Sequence, residues 1–252
     1  MMADTSHHKL RLDELLVRRG LYTTRSRARD AVLRGTVRVD GVSLAKPGIL
    51  LPVGSRLETD DAAQNYVSRA ALKLIAGLDY FALSPNGLTA LDIGASTGGF
   101  TQVLLQRGAR HVIALDVGHD QMHTSLLNDS RITNLEGLNA RDLTAEHLGR
   151  HKIEFVVSDV SFISLKLALP NALALAEPGA HCLILVKPQF EAGRAAIGKG
   201  GILKDKSMAE PIAQDLSDWL DTQLHWRSLG VCPSPIEGGD GNREYLLAGI
   251  KD

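Results

Sequence analysis

Leu91-Asp-Ile-Gly-Ala-Ser-Thr-Gly-Gly-Phe100 decides the fold of this 252-residue chain. The apolar run at 88–93 reads as a buried strand, and the glycines behind it as a sharp turn into a helix at 99–107. Gly94, Gly98 and Gly99 let the backbone approach a ligand closely. Their spacing is G-x-x-x-G-G, not the G-x-G-x-x-G of dinucleotide binders. An acid at Asp92, inside the strand end, repels a pyrophosphate but suits a cationic, amino-acid-like ligand.

Outward from that turn, buried-strand runs alternate with helical segments. Strands are expected at 88–93, 111–117, 132–136, 154–160, 181–187, 227–232 and 244–250, and helices at 99–107, 119–128, 164–176 and 207–222. Such alternation demands an α/β fold, a mostly parallel sheet with helices on both faces. Ligands in these sheets sit beyond the carboxyl ends of the strands, where the strand order switches. Asp116 ends the second strand and is placed to accept hydrogen bonds from a ribose diol. Asn139 and Asp142, after the third strand, are candidates for contacts to an adenine; the same polar loop can equally cap a helix starting near Thr144.

The first sixty residues are different in kind. They carry 11 Lys+Arg against 7 Asp+Glu, on a chain whose net charge is −1, so polyanion binding is expected to be local to them. Leu12, Leu15 and Leu16 form one helical stripe ended by Gly20. Thr24 or Ser26 can cap a second helix, 27–34, with Ala28, Ala31 and Val32 inward. A short strand at 36–39, the turn Asp40-Gly41 and a strand at 55–58 follow. Arg25, Arg27, Arg29 and Arg34 cluster without an interleaved aromatic residue, which favours backbone contact with folded RNA over base stacking. The polar segment 59–65 places a domain boundary at 61/62, with 62–67 as linker.

Composition excludes other classes. At 44% hydrophobic and 23% charged, with no run long enough to span a bilayer, the chain reads as soluble and cytoplasmic. The polar start, 1–10, lacks the apolar stretch of an export signal. Cys182 and Cys232 are too few for a disulfide framework or a zinc site. His119 and His123 stand four apart without a third ligand, so no metal is expected.

Four charged residues name the chemistry. Lys73 lies on the helix leading into the first strand. Asp159 ends the fourth strand, Lys187 ends the fifth, and Glu244 opens the last. If that last strand runs antiparallel, its start lies at the ligand edge with the other strand ends. A lysine completing an apolar strand is unusual, because burying an unpartnered ammonium costs several kcal/mol.

These motifs carry a resemblance. Arg11-Leu-Asp, Ser26-Arg-Ala-Arg and Gly35-x-Val-x-Val-Asp-Gly41 resemble the S4-type RNA-binding domain. The glycine turn with Asp92 and Asp116 resembles the cofactor motifs of class I S-adenosylmethionine methyltransferases. Tyr66-Val-Ser-Arg-Ala-Ala-x-Lys-Leu74 and Asn242-Arg-Glu-Tyr245 are similar to the first and last motifs of the Lys–Asp–Lys–Glu tetrad of FtsJ-type RNA ribose methyltransferases. Nearly the whole chain looks like the TlyA (haemolysin A) family. One departure stands in the linker, where Gln64-Asn-Tyr-Val67 replaces the basic residue and Trp of some relatives.

The resemblance implies a Rossmann-like methyltransferase domain with a seven-stranded sheet at 62–252 behind an S4-type domain at 1–61. It implies transfer of a methyl group from S-adenosylmethionine to cytidine 2′-hydroxyls of ribosomal RNA or ribosomal subunits. Lys73, Asp159, Lys187 and Glu244 would be catalytic. Asp92, Gly94, Ala95, Ser96, Thr97, Gly98, Gly99, Phe100, Asp116, Asn139, Asp142 and Asp159 would hold the cofactor. RNA contacts are expected from Arg11, Arg25, Arg27, Arg29, Arg34, Arg69, Arg194 and Lys199. Lys187 is expected to be the general base, activated by neighbouring Lys73 and partial desolvation. The loop 188–206 either closes over RNA or is plain disorder. Asp159-Val-Ser-Phe162 is not the Asn/Asp-Pro-Pro-aromatic signature of exocyclic-amine enzymes, and no cysteine is placed for cytosine C5 chemistry. Three alternatives remain: a membrane-active haemolysin, a non-catalytic RNA-binding factor, and another Rossmann enzyme such as a dehydrogenase.

Overall fold

The computed structural model describes residues 8–239 and 241–252. Residues 1–7 of the polar start 1–10, where no export signal is expected, lie outside them. The chain divides into two compact units between Asn65 and Tyr66. That is four residues beyond the boundary expected at 61/62, because the segment after Asp61 is tied to the first unit. Arg27 donates to the Ala63 carbonyl, Gln64 Nε2 to the Leu21 carbonyl, and Arg34 forms a two-pronged pair with Asp61.

The first unit comprises β1 (Lys9–Arg11), α1 (Leu12–Arg18), α2 (Arg25–Leu33), β2 (Val37–Val39), β3 (Val42–Ser43), β4 (Leu50–Pro52) and β5 (Leu57–Thr59). The leucine stripe of α1 is fully buried, Leu12 and Leu16 clustering with Ala28, Ala31 and Val32 of α2. The Thr24 side chain accepts the Arg27 N–H and starts α2 two residues earlier than expected. β2 pairs antiparallel with β3 and β5. Asp40 and Gly41 both take positive φ, 49° and 84°, as a tight hairpin between twisted strands requires.

The second unit opens with α3 (Ala71–Tyr80), β6 (Thr89–Ile93), α4 (Gly99–Gln106), β7 (His111–Asp116), α5 (Thr124–Leu127), β8 (Ile132–Glu136), α6 (Ala145–Leu148) and β9 (Ile153–Ser158). It continues through α7 (Leu165–Ala168), α8 (Pro170–Leu175), β10 (Ala176–Val186), α9 (Pro188–Glu191), α10 (Ala209–Asp221), β11 (Trp226–Pro233) and β12 (Tyr245–Lys251). One seven-stranded sheet results, in the order β11-β12-β10-β9-β6-β7-β8. β12 alone runs against its neighbours and lies between β10 and β11. The order reverses between β6 and β9, which opens a crevice at their carboxyl ends. Among the described residues no helix is long and apolar enough to cross a membrane.

Strand alternation divides the sheet into two apolar faces. One buries Leu91, Ile93, Val156, Ile184 and Leu247 beneath α7, α8 and α10. The other buries Ala90, Phe155, Val157, Leu183, Leu185 and Leu246 beneath α3 and α4. Gly77 lets α3 lie close on that second face, since a Cβ there would meet Leu183 within 2.8 Å.

Two expected helices differ for physical reasons. The helix at 119–128 shrinks to α5, because Asp120 has positive φ and its N–H is taken by Glu136, leaving 117–123 as a bent, irregular segment. His123 caps α5 rather than facing His119 from the same helix. The helix at 164–176 breaks at Pro170, which lacks the N–H to continue α7 and so becomes the first residue of α8.

Candidate active site at the carboxyl edge of the sheet

The glycine turn between β6 and α4 forms the floor. Gly94 has φ +80°, and a Cβ there would lie 3.0 Å from the Asp159 carbonyl oxygen, so only glycine lets the ends of β6 and β9 close together. Ser96 also takes positive φ, at 46°. Its N–H donates to Asp116 Oδ2 at 2.8 Å, while Gly118 N–H donates to Oδ1 at 2.7 Å. Asp116 is thereby fixed at the end of β7, and each of its oxygens keeps a lone pair for a ligand hydroxyl.

A cleft of about 470 Å³ runs from Asp116 past Asn139 to Asp159, with apolar walls from Val117, Leu138 and Ile163. That size and lining suit a nucleoside. A smaller cleft of about 160 Å³, lined by Ala95, Thr97, Phe100 and Lys187, adjoins it. Gly94, Ser96, Asp159 and Ser161 line both. The long arm suits adenosine, and the short one an amino-acid tail and an acceptor.

Asp92 is placed differently from expectation. It is wholly buried beneath the turn and lines neither cleft. Thr101 donates to Oδ2 at 2.6 Å, and Oδ1 has no protein partner. Burial pushes its carboxyl up to about 7, against the Thr101 hydrogen bond, and the carboxylates of Asp159 and Asp116 add to the rise. An unpaired buried acid under the floor fits a cationic ligand above it. Asn139 lines the cleft, yet its Oδ1 also accepts the Arg141 N–H, so lining and capping coexist. Asp142 is exposed and lines neither cleft.

Lys73, Asp159, Lys187 and Glu244 come together on one face of the sheet. β12 is antiparallel to β10, and Val186 pairs with Tyr245, so Lys187 and Glu244 occupy the next opposed position. Glu244 continues the side of Leu246, Lys187 that of Leu185, and Asp159 that of Val157, all on the α3 face. Lys73 is one helical turn before Gly77 on α3 and donates to Glu244 Oε2. Both side chains of this pair are buried. Lys187 Nζ lies 2.6 Å from Asp159 Oδ1, off hydrogen-bond alignment, and donates to Ser161 Oγ at 2.7 Å. Each lysine therefore has its own carboxylate, Lys73 with Glu244 and Lys187 with Asp159.

Sequence reasoning missed three neighbours of this site. Ser161 lies within the strand-end motif quoted for other reasons. Phe162, 90% exposed with φ +65°, stands beside Phe190 at a ring distance of 5.0 Å. Asn242 is buried, and its amide accepts from Leu203 N–H and donates to the Gly201 carbonyl, both at 3.0 Å. That clasp, a bridge between Ile197 and Leu203, and Glu191 bound to Ser164 give the loop 188–206 defined structure instead of the disorder considered above. Arg194 and Lys199 sit on its short turns. Arg69 lies alongside Gly239 in the same unit.

The amino-terminal arginines divide by partner. Arg34 is mostly buried and committed to Asp30 and Asp61. Arg11 and Arg25 both pair with buried Asp13 while remaining about half exposed. Arg29 is exposed on α2.

Comparison with known proteins supplies independent findings. Residues 66–251 match the profile of FtsJ-like methyltransferases, and residues 10–57 match the S4 domain. The chain is 43% identical, over 95% of its length and 89% of the relative's, to the 16S/23S rRNA (cytidine-2′-O)-methyltransferase TlyA of Mycobacterium tuberculosis. It is 39% identical to hemolysin A of Brachyspira hyodysenteriae, covering 94% of this chain and 98% of that one. A solved structure of a provisionally named hemolysin from Streptococcus thermophilus superposes with a TM-score of 0.74 at 39% identity, over 96% of this chain and 88% of the other.

Proposed function

Because the chain belongs to the FtsJ-like methyltransferase family, we propose that it methylates ribose 2′-oxygens of ribosomal RNA at cytidine, using S-adenosylmethionine. The observation that carries this reading is the convergence of Lys73, Asp159, Lys187 and Glu244 on one sheet face beside a nucleoside-sized cleft. RNA is taken as folded ribosomal RNA or a subunit, with the S4 unit as its handhold, and the place of action as the cytoplasm.

S-adenosylmethionine, when bound, supplies a methyl carbon on a sulfonium, whose C–S electron pair leaves with sulfur as an oxygen bonds to carbon. Asp116 would accept from the ribose diol, Val117, Leu138 and Ile163 would flank the adenine, and the glycine turn would hold the amino-acid end. The acceptor 2′-hydroxyl is a weak nucleophile at neutral pH and must lose its proton during attack. Lys187, as the free amine, takes that proton on Nζ and becomes an ammonium beside Asp159. Such general-base assistance is typically worth about 10²–10⁴-fold in rate. Glu244 fixes Lys73 on α3, next to the acceptor side.

The test is transfer of labelled methyl from S-adenosylmethionine to ribosomal subunits and to bare ribosomal RNA, wild type beside Lys187→Ala. Label in 2′-O-methylcytidine with wild type alone supports the reading. Tight cofactor binding without label on any ribosomal substrate refutes it in favour of a non-catalytic RNA-binding factor.

A further inference from the structure

The neutral amine that a lysine base requires has two N–H donors and one lone pair. Left alone on a four-carbon stem, it can turn that lone pair anywhere. Two acceptors surround Nζ of Lys187: Asp159 Oδ1 at 2.6 Å and Ser161 Oγ at 2.7 Å. Ser161 is exposed, and it is one of four residues that line both clefts, so its hydroxyl stands where the cofactor arm meets the acceptor arm. The adjacent Phe162 has φ +65°, a conformation an aromatic residue rarely adopts.

We propose that Ser161 is a positioning residue for the base: it holds one N–H of Lys187 by the aligned hydrogen bond that Asp159, in contact with Nζ but off alignment, does not make, so that the lone pair faces the acceptor cleft. The inference rests on Lys187 acting as the base. A carboxylate is an acceptor only, and by itself leaves the amine free to rotate about a single contact. A hydroxyl accepts from Nζ in both its amine and its ammonium forms, and keeps its own proton to donate to a sugar oxygen. When the 2′-hydroxyl proton passes to Nζ, a third N–H forms along the lone-pair direction. The two existing contacts need not rearrange, and that preorganisation is what a positioned base contributes.

Ser161→Ala, Ser161→Thr and Lys187→Ala test it together, with methyl transfer, cofactor affinity and melting temperature measured on the full chain. Ser161→Ala is expected to lower kcat by about 10–100-fold, the size of one lost charge-assisted hydrogen bond. Its cofactor affinity and melting temperature should stay near wild type, and Ser161→Thr should recover most of the rate. Losing an acceptor destabilises the ammonium, so the ascending limb of the pH–rate profile moves to lower pH in Ser161→Ala. The Lys187 Nζ titration, followed by NMR on selectively labelled lysine in the ligand-free protein, should move the same way. A purely structural role would reduce the rate without moving either midpoint. Wild-type kcat and an unmoved titration in Ser161→Ala, beside an inactive Lys187→Ala, would overturn the role of Ser161 and leave the base in place. Normal turnover by Lys187→Ala would remove the base and this inference with it.

Discussion

Lys187 and Glu244 face each other one step beyond the antiparallel register that pairs Val186 with Tyr245. The two lysine–carboxylate pairs are thus neighbours across a strand boundary, and they differ in exposure. Lys73–Glu244 is sealed under α3, whereas Lys187–Asp159 borders the cleft.

The sealed pair should behave as a buried ion pair. Glu244→Gln leaves the Lys73 ammonium uncompensated and is expected to destabilise the second unit by about 3–5 kcal/mol. Pairing it with Lys73→Met should restore most of that stability without restoring methyl transfer. Urea unfolding checks the first part and labelled-methyl assays the second; equal stability of Glu244→Gln and wild type would contradict the burial argument.

Asp92 makes stability depend on pH with a definite sign. Its folded carboxyl titrates at about 7, against an ordinary value of 3.8, so the folded state holds a proton that the unfolded state has released. Its contribution is fully present below pH 3.8 and lost as pH rises towards about 7. Asp92→Asn, uncharged at every pH, should flatten this part of the fall. Urea midpoints compared at pH 5 and pH 8 decide it, and an identical fall in wild type and variant would count against the account.

Arg29 and Arg34 separate RNA affinity from folding. Arg29 is exposed, so Arg29→Ala should weaken RNA binding across sequences and reduce the salt slope by about one phosphate contact. Arg34→Ala should instead destabilise the first unit, because it leaves buried Asp61 without its counter-charge and loosens Asp30. Salt-dependent binding isotherms and thermal melts distinguish the two; a matching loss of affinity at normal stability in Arg34→Ala would refute the division.

Asn242→Ala removes both side-chain bonds that hold the loop at Gly201 and Leu203. Faster amide exchange over 194–206 and a raised KM for RNA are expected, with cofactor affinity kept. Unchanged exchange there would show that the loop holds itself.

Where the sequence could be read, periodicity and end chemistry were the reason. The seven strands follow from runs such as Leu91–Ile93 and Leu183–Val186, and Asp159 and Lys187 stand out as charges closing apolar strands. Harder cases depended on backbone conformation and long-range partners. Asp120 with positive φ dissolved half an expected helix, and no local pattern announces that. Asp92 was expected to hold the cofactor from inside the strand end and lies buried beneath the floor, because a strand's pattern gives the side of the sheet but not the depth. Asn242 found its partners about 40 residues away, in a loop whose glycines suggested only looseness.

The insertion of β12 between β10 and β11 has a consequence for synthesis. Translation delivers β11 before the strand that joins it to the sheet, so β11 must wait unpaired, and non-local pairing of this kind forms slowly. Glu244 arrives with that latecomer. Until it docks, Lys73 lacks the Glu244 carboxylate and α3 covers an unfinished face, so the four charged residues cannot converge ahead of the fold.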